Sequence, residues 1–257
     1  MKTVWKGAIS FGLVSIPINL YSAIEGKALS FRLLHKPDHQ PIKYKRFCQD
    51  GHEVPWNEIT KGVEIAKDRY YEVDGEELEK LKPEKSDVVD IFEFVDARQV
   101  DPIYFNSHYY AAPQRQKDKA FFLFKEVLSQ SAKVAIGKFV MRQKEYISAI
   151  ESYKSGLLLT TLNYGYEIRD MGAIEELSSA PKLREEELSL AKQLIDRLYK
   201  EEFDIRQFKD TFAEQLKELL RRKEKGEAIT VEHKPQAEGK EQDIIKALKQ
   251  SLREAEA

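Results

Sequence analysis

The first regular pattern along the chain is a run of β-branched and aromatic residues at positions 3–24. Gly7, Gly12 and Pro17 interrupt this run, and no apolar stretch within it reaches the roughly 20 residues that a membrane helix needs. The pattern predicts two strands joined near Gly12, with Pro17 tolerated only at a sheet edge or a bulge. A signal peptide is not indicated, because Lys6 and the glycines break any continuous apolar core.

Alternation of apolar and polar residues predicts a series of further short strands. These lie at residues 29–35, 63–66, 69–73, 88–95, 103–105, 109–111, 138–142, 146–150 and 157–162. Asp74 and Glu77 have the spacing of a capping box and predict a short helix that Pro83 ends. In residues 117–132 the spacing of the apolar side chains changes to that of a helix. We therefore expect one β-rich domain with an inserted helix, and closure into a barrel would leave no exposed edge.

Beyond Pro181 the β pattern stops and helical periodicity takes over. Residues 185–201 form one amphipathic stripe, and Asp204 is placed to cap a second helix that runs to about Lys225. Residues 229–239 have the composition of a linker. A last amphipathic segment at residues 242–254 has four apolar side chains at helical spacing, namely Ile244, Ile245, Leu248 and Leu252. The predicted organisation is a barrel domain at 1–180, a helical arm at 181–228, and a linker with a terminal segment at 229–257.

Composition limits the possible classes of protein only moderately. The net charge of −2 argues against nucleic acid when the chain is taken as a whole. However, residues 1–49 carry eight bases and two acids, which is 8 − 2 = +6, and residues 111–144 have the same balance, whereas residues 74–101 have 4 − 10 = −6. This distribution predicts that one surface is basic, which permits DNA binding. Cys48 is the only cysteine, so a disulfide framework is excluded and the cytoplasm is the expected compartment.

The sequence contains no glycine-rich phosphate loop, no H-E-x-x-H and no nucleophile elbow, and we expect neither an enzyme nor a cofactor. One metal site is conceivable, because His35, His39, Cys48 and His52 have nitrogen and sulfur ligands that suit a tetrahedral zinc ion. Prolines and aspartates interleave with these residues, and no C-x2-C pair is present. We therefore expect no metal.

The best candidates for phosphate contacts are Lys43, Lys45 and Arg46, which alternate with Tyr44 and Phe47. Cations interleaved with aromatic residues on an extended segment can follow a nucleic-acid backbone without reading bases, although such a run is also typical of a solvated strand face. The same candidate set includes two further lysines of this region and a second basic pair, namely Lys36, Lys61, Arg142 and Lys144.

Several segments, in order along the chain, match the pattern of one known family. The first is the opening run WKGAISFGLVSIPINLYSA at 5–23. Further segments are KGVE at 61–64, YEVDGEEL at 71–78, VDPIYF at 100–105, GLLLTTL at 156–162, the helix residues from Phe203 to around Asp210, and DIIKALKQSL at 243–252. Together they resemble the prokaryotic Ku proteins of non-homologous end joining, and the resemblance covers essentially the whole chain.

The resemblance implies an α+β fold: a Ku-core β-barrel with a DNA-bridging excursion at about 36–62, followed by a helical arm. It also implies a ring-shaped homodimer that binds double-stranded DNA ends without sequence specificity, and a terminal segment that engages an ATP-dependent ligase and polymerase of end joining. No membrane association is implied, and the protein would be nucleoid-associated when bound to DNA. Two features depart from the family pattern: Cys48 has no partner cysteine, and residues 229–257 lack a lysine-rich tail.

Three alternatives remain open from the residues alone. A general architectural DNA-binding protein would lack preference for DNA ends. A scaffold that only dimerises would show no salt-dependent affinity for DNA. A metal- or thiol-dependent hydrolase would need an acid, a base and a nucleophile that converge, and the sequence does not indicate such a set.

Overall fold

The computed structural model describes residues 1–26, 31–76, 80, 87–225 and 244–254. The chain divides into two compact units, Met1–Asp170 and Met171–Ala257. The strands of the first unit are β1 (Thr3–Phe11), β2 (Val14–Ser22), β3 (Lys61–Ala66), β4 (Arg69–Val73), β5 (Val88–Asp96), β6 (Phe105–Pro113), β7 (Lys133–Met141), β8 (Lys144–Tyr153) and β9 (Gly156–Leu162), and its helix is α1 (Lys119–Ser131).

Seven of these strands form a closed barrel in the order β1-β2-β6-β9-β8-β7-β5. All neighbouring pairs are antiparallel except the closing pair, in which residues 8–10 of β1 run parallel to residues 88–90 of β5. Closure leaves none of these seven strands as a free edge. The expected α+β fold, a β-barrel with an inserted helix followed by further helices, is confirmed.

The first hairpin forms as its sequence predicts. Gly12 has a φ of 58°, a left-handed conformation that glycine adopts without a steric penalty, and the turn joins β1 to β2. Pro17 is exposed and lies opposite Ala8 in β1, whereas pairing of β2 with β6 begins only at Ile18. Pro17, which has no N–H to donate, therefore lies just outside the rungs that join β2 to β6.

Helix α1 contributes apolar side chains to the barrel core. The Asp118 carboxylate accepts a hydrogen bond from the Phe121 backbone N–H at 3.0 Å, which caps the first turn. Phe121, Phe124 and Leu128 are buried in the same cluster as the inward-facing residues of the strands. Burial of each such side chain stabilises the fold by roughly 1.5–3 kcal/mol.

Four features of the barrel lie at one end because strand directions alternate. β2 ends at Ser22, β5 begins at Val88, the β7–β8 turn is formed by residues 142–143, and β9 ends at Leu162. We call this end of the barrel the excursion end, because the chain leaves the barrel there after Ser22 and re-enters it at Val88; from here on, excursion means the chain between these two residues.

The strand predicted at residues 29–35 is wrong for the residues that the structure describes. Residues 31–33 have no regular structure, Leu34 forms only an isolated bridge with Pro41, and residues 27–30 lie outside the described ranges. Pro37 and Pro41 explain the failure, because a proline has no N–H to extend a ladder.

The strands predicted at 63–66 and 69–73 are confirmed as the two-stranded sheet β3–β4, which is exposed almost throughout. The predicted helix at residues 74–81 falls mostly outside the described residues. Gly75, Glu76 and Lys80 are helical.

The described helices of the second unit are α2 (Glu185–Leu198), α3 (Thr211–Glu224) and α4 (Ile244–Glu254). The prediction that Asp204 caps the second long helix is wrong. Asp204 accepts instead from the Arg206 N–H at 2.9 Å and starts a short 3-10 turn, whereas Asp210 accepts from the Ala213 N–H at 2.9 Å and caps α3. The linker predicted at 229–239 lies outside the described residues. Each helix in the described ranges falls short of the length or the apolar character that a bilayer span requires.

Helices α2 and α4 pack against each other. An Arg197 guanidinium nitrogen donates to the Leu252 carbonyl at 3.0 Å, and the Lys249 ammonium lies 3.1 Å from a Glu186 carboxylate oxygen. Amphipathic helices of this length are marginal alone in water, so the packing contributes to holding α4 in place.

The close approach of β5 and β7 gives a test of the barrel. A Cβ atom at Gly137 would lie 2.7 Å from the Asp90 carbonyl oxygen, so the two backbones must separate to admit a methyl group. We expect Gly137→Ala to lower the free energy of unfolding by about 1–3 kcal/mol, measured as a shift of the urea midpoint. Gly75→Ala is the control, because its Cβ would meet nothing within 4 Å. Equal midpoints for the two variants would contradict the close approach.

Candidate nucleic-acid interface

Two tight backbone turns shape the segment that carries most of the predicted phosphate ligands. In the first, the Ile42 N–H donates to the Leu33 carbonyl at 3.1 Å, and residues 36–38 form the turn. In the second, the Val54 N–H donates to the Arg46 carbonyl at 2.9 Å, and Gly51 has a φ of 80°. The first of these hydrogen bonds involves Leu33, which lies in the strand predicted at 29–35.

The three central candidates lie between the two turns and are all exposed. The Lys45 ammonium lies 2.8 Å from a Glu53 carboxylate oxygen. The Arg46 guanidinium carbon lies 4.4 Å from the centroid of the Trp56 ring, a distance typical of cation–π contacts. An ion pair this exposed stabilises by only about 0–1 kcal/mol. A phosphate can therefore compete with Glu53 for Lys45.

The two remaining cations of the excursion are separated from this group along the chain. Lys36 lies on the first turn and Lys61 is the first residue of β3, and both are exposed. All five cations thus lie in the excursion and are exposed, namely Lys36, Lys43, Lys45, Arg46 and Lys61.

The second basic pair lies at the β7–β8 turn. Arg142 and Gln143 have φ values of 52° and 68°, the signs that a two-residue type I′ turn requires. Such φ values are uncommon for residues other than glycine, asparagine and aspartate. The Lys144 ammonium lies 5.4 Å from the centroid of the Tyr146 ring. Strand topology places this pair at the same barrel end as the roots of the excursion, which the sequence did not predict.

The excursion also exposes large apolar side chains. Tyr44 is 78% exposed and Trp56 is 72% exposed. The same property is shared by Phe31, Leu33, Phe47, Val63, Tyr70 and Tyr71. Contiguous apolar surface usually marks an interaction site, and these eight exposed side chains all belong to the segment between residues 31 and 71.

The structure brings together only part of the zinc ligand set that the sequence made conceivable. Cys48 and His52 join Asp50 in one exposed group, with potential ligand atoms within 4.8 Å of one another. His35 instead places its Nδ1 atom 2.8 Å from an Asp38 carboxylate oxygen. A structural zinc site has four ligands, and this group in the described ranges supplies three.

Two tyrosines at the excursion end escaped the sequence analysis. Tyr164 and Tyr166 stack with ring centroids 5.4 Å apart, and the Tyr164 hydroxyl donates to a Glu145 carboxylate oxygen at 3.1 Å. Burial, followed by this hydrogen bond to Glu145, raises the pKa of Tyr164 to about 12, so the phenol stays protonated at physiological pH. No local pattern identifies the contact between Tyr164 and Glu145, because it depends on the register of β8 and β9.

The predicted ligase-binding side chains lie on α4. Ile244 is 62% exposed, whereas Ile245, Leu248 and Leu252 are half-buried in the helix that packs against α2. The apolar stripe is therefore shared between packing within this unit and surface that remains accessible.

These features define a closed β-barrel protein whose one end carries a cationic and aromatic excursion, the side-chain chemistry of a nucleic-acid backbone interface. Residues 10–190 match the family model described as the Ku70/Ku80 beta-barrel domain. The chain belongs to the Ku family.

Relatives align along nearly the whole chain. The non-homologous end joining protein Ku of Heliobacterium modesticaldum is 38% identical over 255 residues, which cover 99% of this chain and 92% of that protein. The protein of the same name from Archaeoglobus fulgidus is 36% identical and covers 98% of each chain. That from Bacillus subtilis is 34% identical, over 98% of this chain and 82% of the relative.

Proposed function

We propose that this protein binds the ends of double-stranded DNA breaks as a ring-shaped homodimer in non-homologous end joining. The observation that supports this proposal most directly is the exposed excursion, which combines five cations with aromatic side chains at one end of the barrel. Membership of the Ku family, and relatives named for non-homologous end joining, support the same reaction.

The apolar side chains of the excursion support a dimer. Exposed side chains such as Tyr44 and Trp56 cost free energy in water, and a second copy of the same segment can cover them. A two-fold axis would place identical excursions against each other, because the commonest homo-oligomer is an isologous dimer. Two excursions joined in this way would close a ring.

A ring explains end recognition without base readout. A protein that must hold any broken end directs its contacts to phosphates and sugars, which carry no sequence information. A closed ring can load onto a duplex only where the duplex ends. A chain with net charge −2 can still bind in this way if its cations face the hole.

The terminal helix α4 is the proposed contact for the ATP-dependent ligase and polymerase of end joining. Its support is the amphipathic pattern together with the exposed Ile244 at its start. Helix α4 belongs to the second unit, whereas all the predicted phosphate ligands belong to the first.

The first prediction concerns topology. We expect the protein to bind linear duplex with little sequence dependence and to bind relaxed closed circles at least tenfold more weakly. A gel-shift comparison of the two forms, with the mass of the free protein measured by light scattering, tests this. Equal affinity for circles would contradict the ring and favour an architectural DNA-binding protein. A monomeric mass at working concentration would contradict the dimer.

The second prediction concerns the phosphate contacts. Replacing Lys43, Lys45 and Arg46 together by alanine should weaken binding to linear duplex and flatten the salt dependence by roughly one unit for each lost contact.

The matched control for that variant removes three exposed lysines of the second unit, Lys192, Lys200 and Lys209, which changes the net charge equally. We expect this control to keep the slope of the wild type. Equal slopes for wild type and both triple variants would show that the excursion cations do not contact phosphate.

The third prediction concerns the ligase. Ile244→Glu should abolish stimulation of the ligase while leaving affinity for DNA unchanged, because it places a charge on an exposed apolar contact. Ser251→Glu, at another exposed position of α4, serves as the control. Ligation of a linear plasmid, assayed beside DNA binding, separates the two effects. Unchanged stimulation by Ile244→Glu would place the ligase contact elsewhere.

A further inference from the structure

Tyr164 and Tyr166 form a stacked pair at the excursion end. The binding of duplex DNA proposed above does not use this pair. The two rings are nearly parallel, with an interplanar angle of 12°. Tyr164 is half-buried, whereas Tyr166 is 82% exposed. The outer member of the stack therefore offers an aromatic surface to solvent.

Hydrogen bonds hold the inner ring in place. The Tyr164 hydroxyl donates to Glu145, and the same carboxylate oxygen lies 3.2 Å from the Lys138 ammonium. The Tyr164 backbone N–H donates to a Glu167 carboxylate oxygen at 2.7 Å, which closes the short turn between the two tyrosines. A ring fixed in this way loses little conformational entropy when a third ring joins the stack.

The position of the pair relates it to the proposed DNA path. Tyr164 follows the end of β9 and lies opposite Glu145 at the start of β8. The turn that carries Arg142, and Lys144 beside it, immediately precedes Glu145. The aromatic surface thus lies at the excursion end, close along the strands to the second basic pair.

We propose that Tyr166 stacks on an unpaired nucleobase of a single-stranded overhang, with the cations at and near the β7–β8 turn contacting the overhang phosphates. This inference rests on the proposed function. Inside a duplex both faces of each base are already covered by neighbouring base pairs. An unpaired base of an overhang has an open π-face, so an exposed aromatic ring fits a protein that binds such ends.

Aromatic residues combined with nearby cations are the common platform for single-stranded nucleic acid. Residues 138–145 contain three cations and one acid, namely Lys138, Arg142, Lys144 and Glu145. The Glu145 carboxylate already contacts Lys138 and Tyr164. This local excess of positive charge favours a nucleotide over an aromatic side chain of a second copy.

The test compares two duplexes of equal length, one blunt and one with a short overhang that carries 2-aminopurine. We expect wild type to bind the overhang duplex about tenfold more tightly than the blunt duplex, because stacking of one base contributes a binding free energy of about 1.4 kcal/mol. We also expect it to quench the fluorescence of 2-aminopurine. Tyr166→Ala should remove both effects and leave affinity for the blunt duplex unchanged. Tyr166→Phe should retain them, because phenylalanine keeps the ring.

Tyr199→Ala is the matched control, since Tyr199 is also exposed but lies in the second unit. The inference would be overturned, while the proposed function stands, if wild type bound the blunt duplex as tightly as the overhang duplex. The same conclusion would follow if wild type preferred the overhang duplex and Tyr166→Ala kept that preference. Failure of wild type to bind either duplex would overturn both. Loss of blunt-duplex binding together with a lower mass for Tyr166→Ala would overturn the inference and assign the ring to the contact between copies.

Discussion

Closure of the barrel by the parallel pairing of β1 with β5 is the constraint on which the rest of the first unit depends. The pairing involves only residues 8–10 and 88–90, yet it converts an open sheet into a barrel without free edges. Since β2 runs antiparallel to β1 and β5 runs parallel to it, β2 ends and β5 begins at the end of the barrel from which β1 started. The chain therefore leaves and re-enters the barrel at one end, which is also the end of the β7–β8 turn.

The predicted phosphate ligands are separate from the side chains that form the core of the unit. The apolar side chains of α1 and the inward residues of the strands fill the barrel, and none of the predicted phosphate ligands belongs to that buried cluster. These cations are all exposed, on the excursion and at the β7–β8 hairpin, where substitution removes a charge without opening a cavity. A rigid scaffold with functional residues on its connections is the usual division of labour in proteins.

Elements whose formation depends on neighbouring residues were predicted from the sequence. Alternation located β1, β2 and β5, and Asp118 begins the helix that the change of period indicated. The strand at 29–35 failed because Pro37 and Pro41 prevent a ladder, and Asp204 failed as a helix cap because Asp210 holds that position. The shared end of Arg142 and the excursion, and the hydrogen bond of Tyr164 to Glu145, depend on which strands pair. Pairing between strands distant in sequence has no local signature, so single-sequence reasoning could not reach these features.

The exposed aromatic side chains of the excursion have a consequence for the amount of protein in a cell. If a second copy covers them, part of the folding free energy is supplied by association, and the apparent melting temperature rises with protein concentration. A newly made chain that has not met a partner carries apolar surface that proteases and chaperones recognise. The amount of protein in the cell would then rise more steeply than its rate of synthesis, because a higher rate also increases the fraction of chains that survive as dimer.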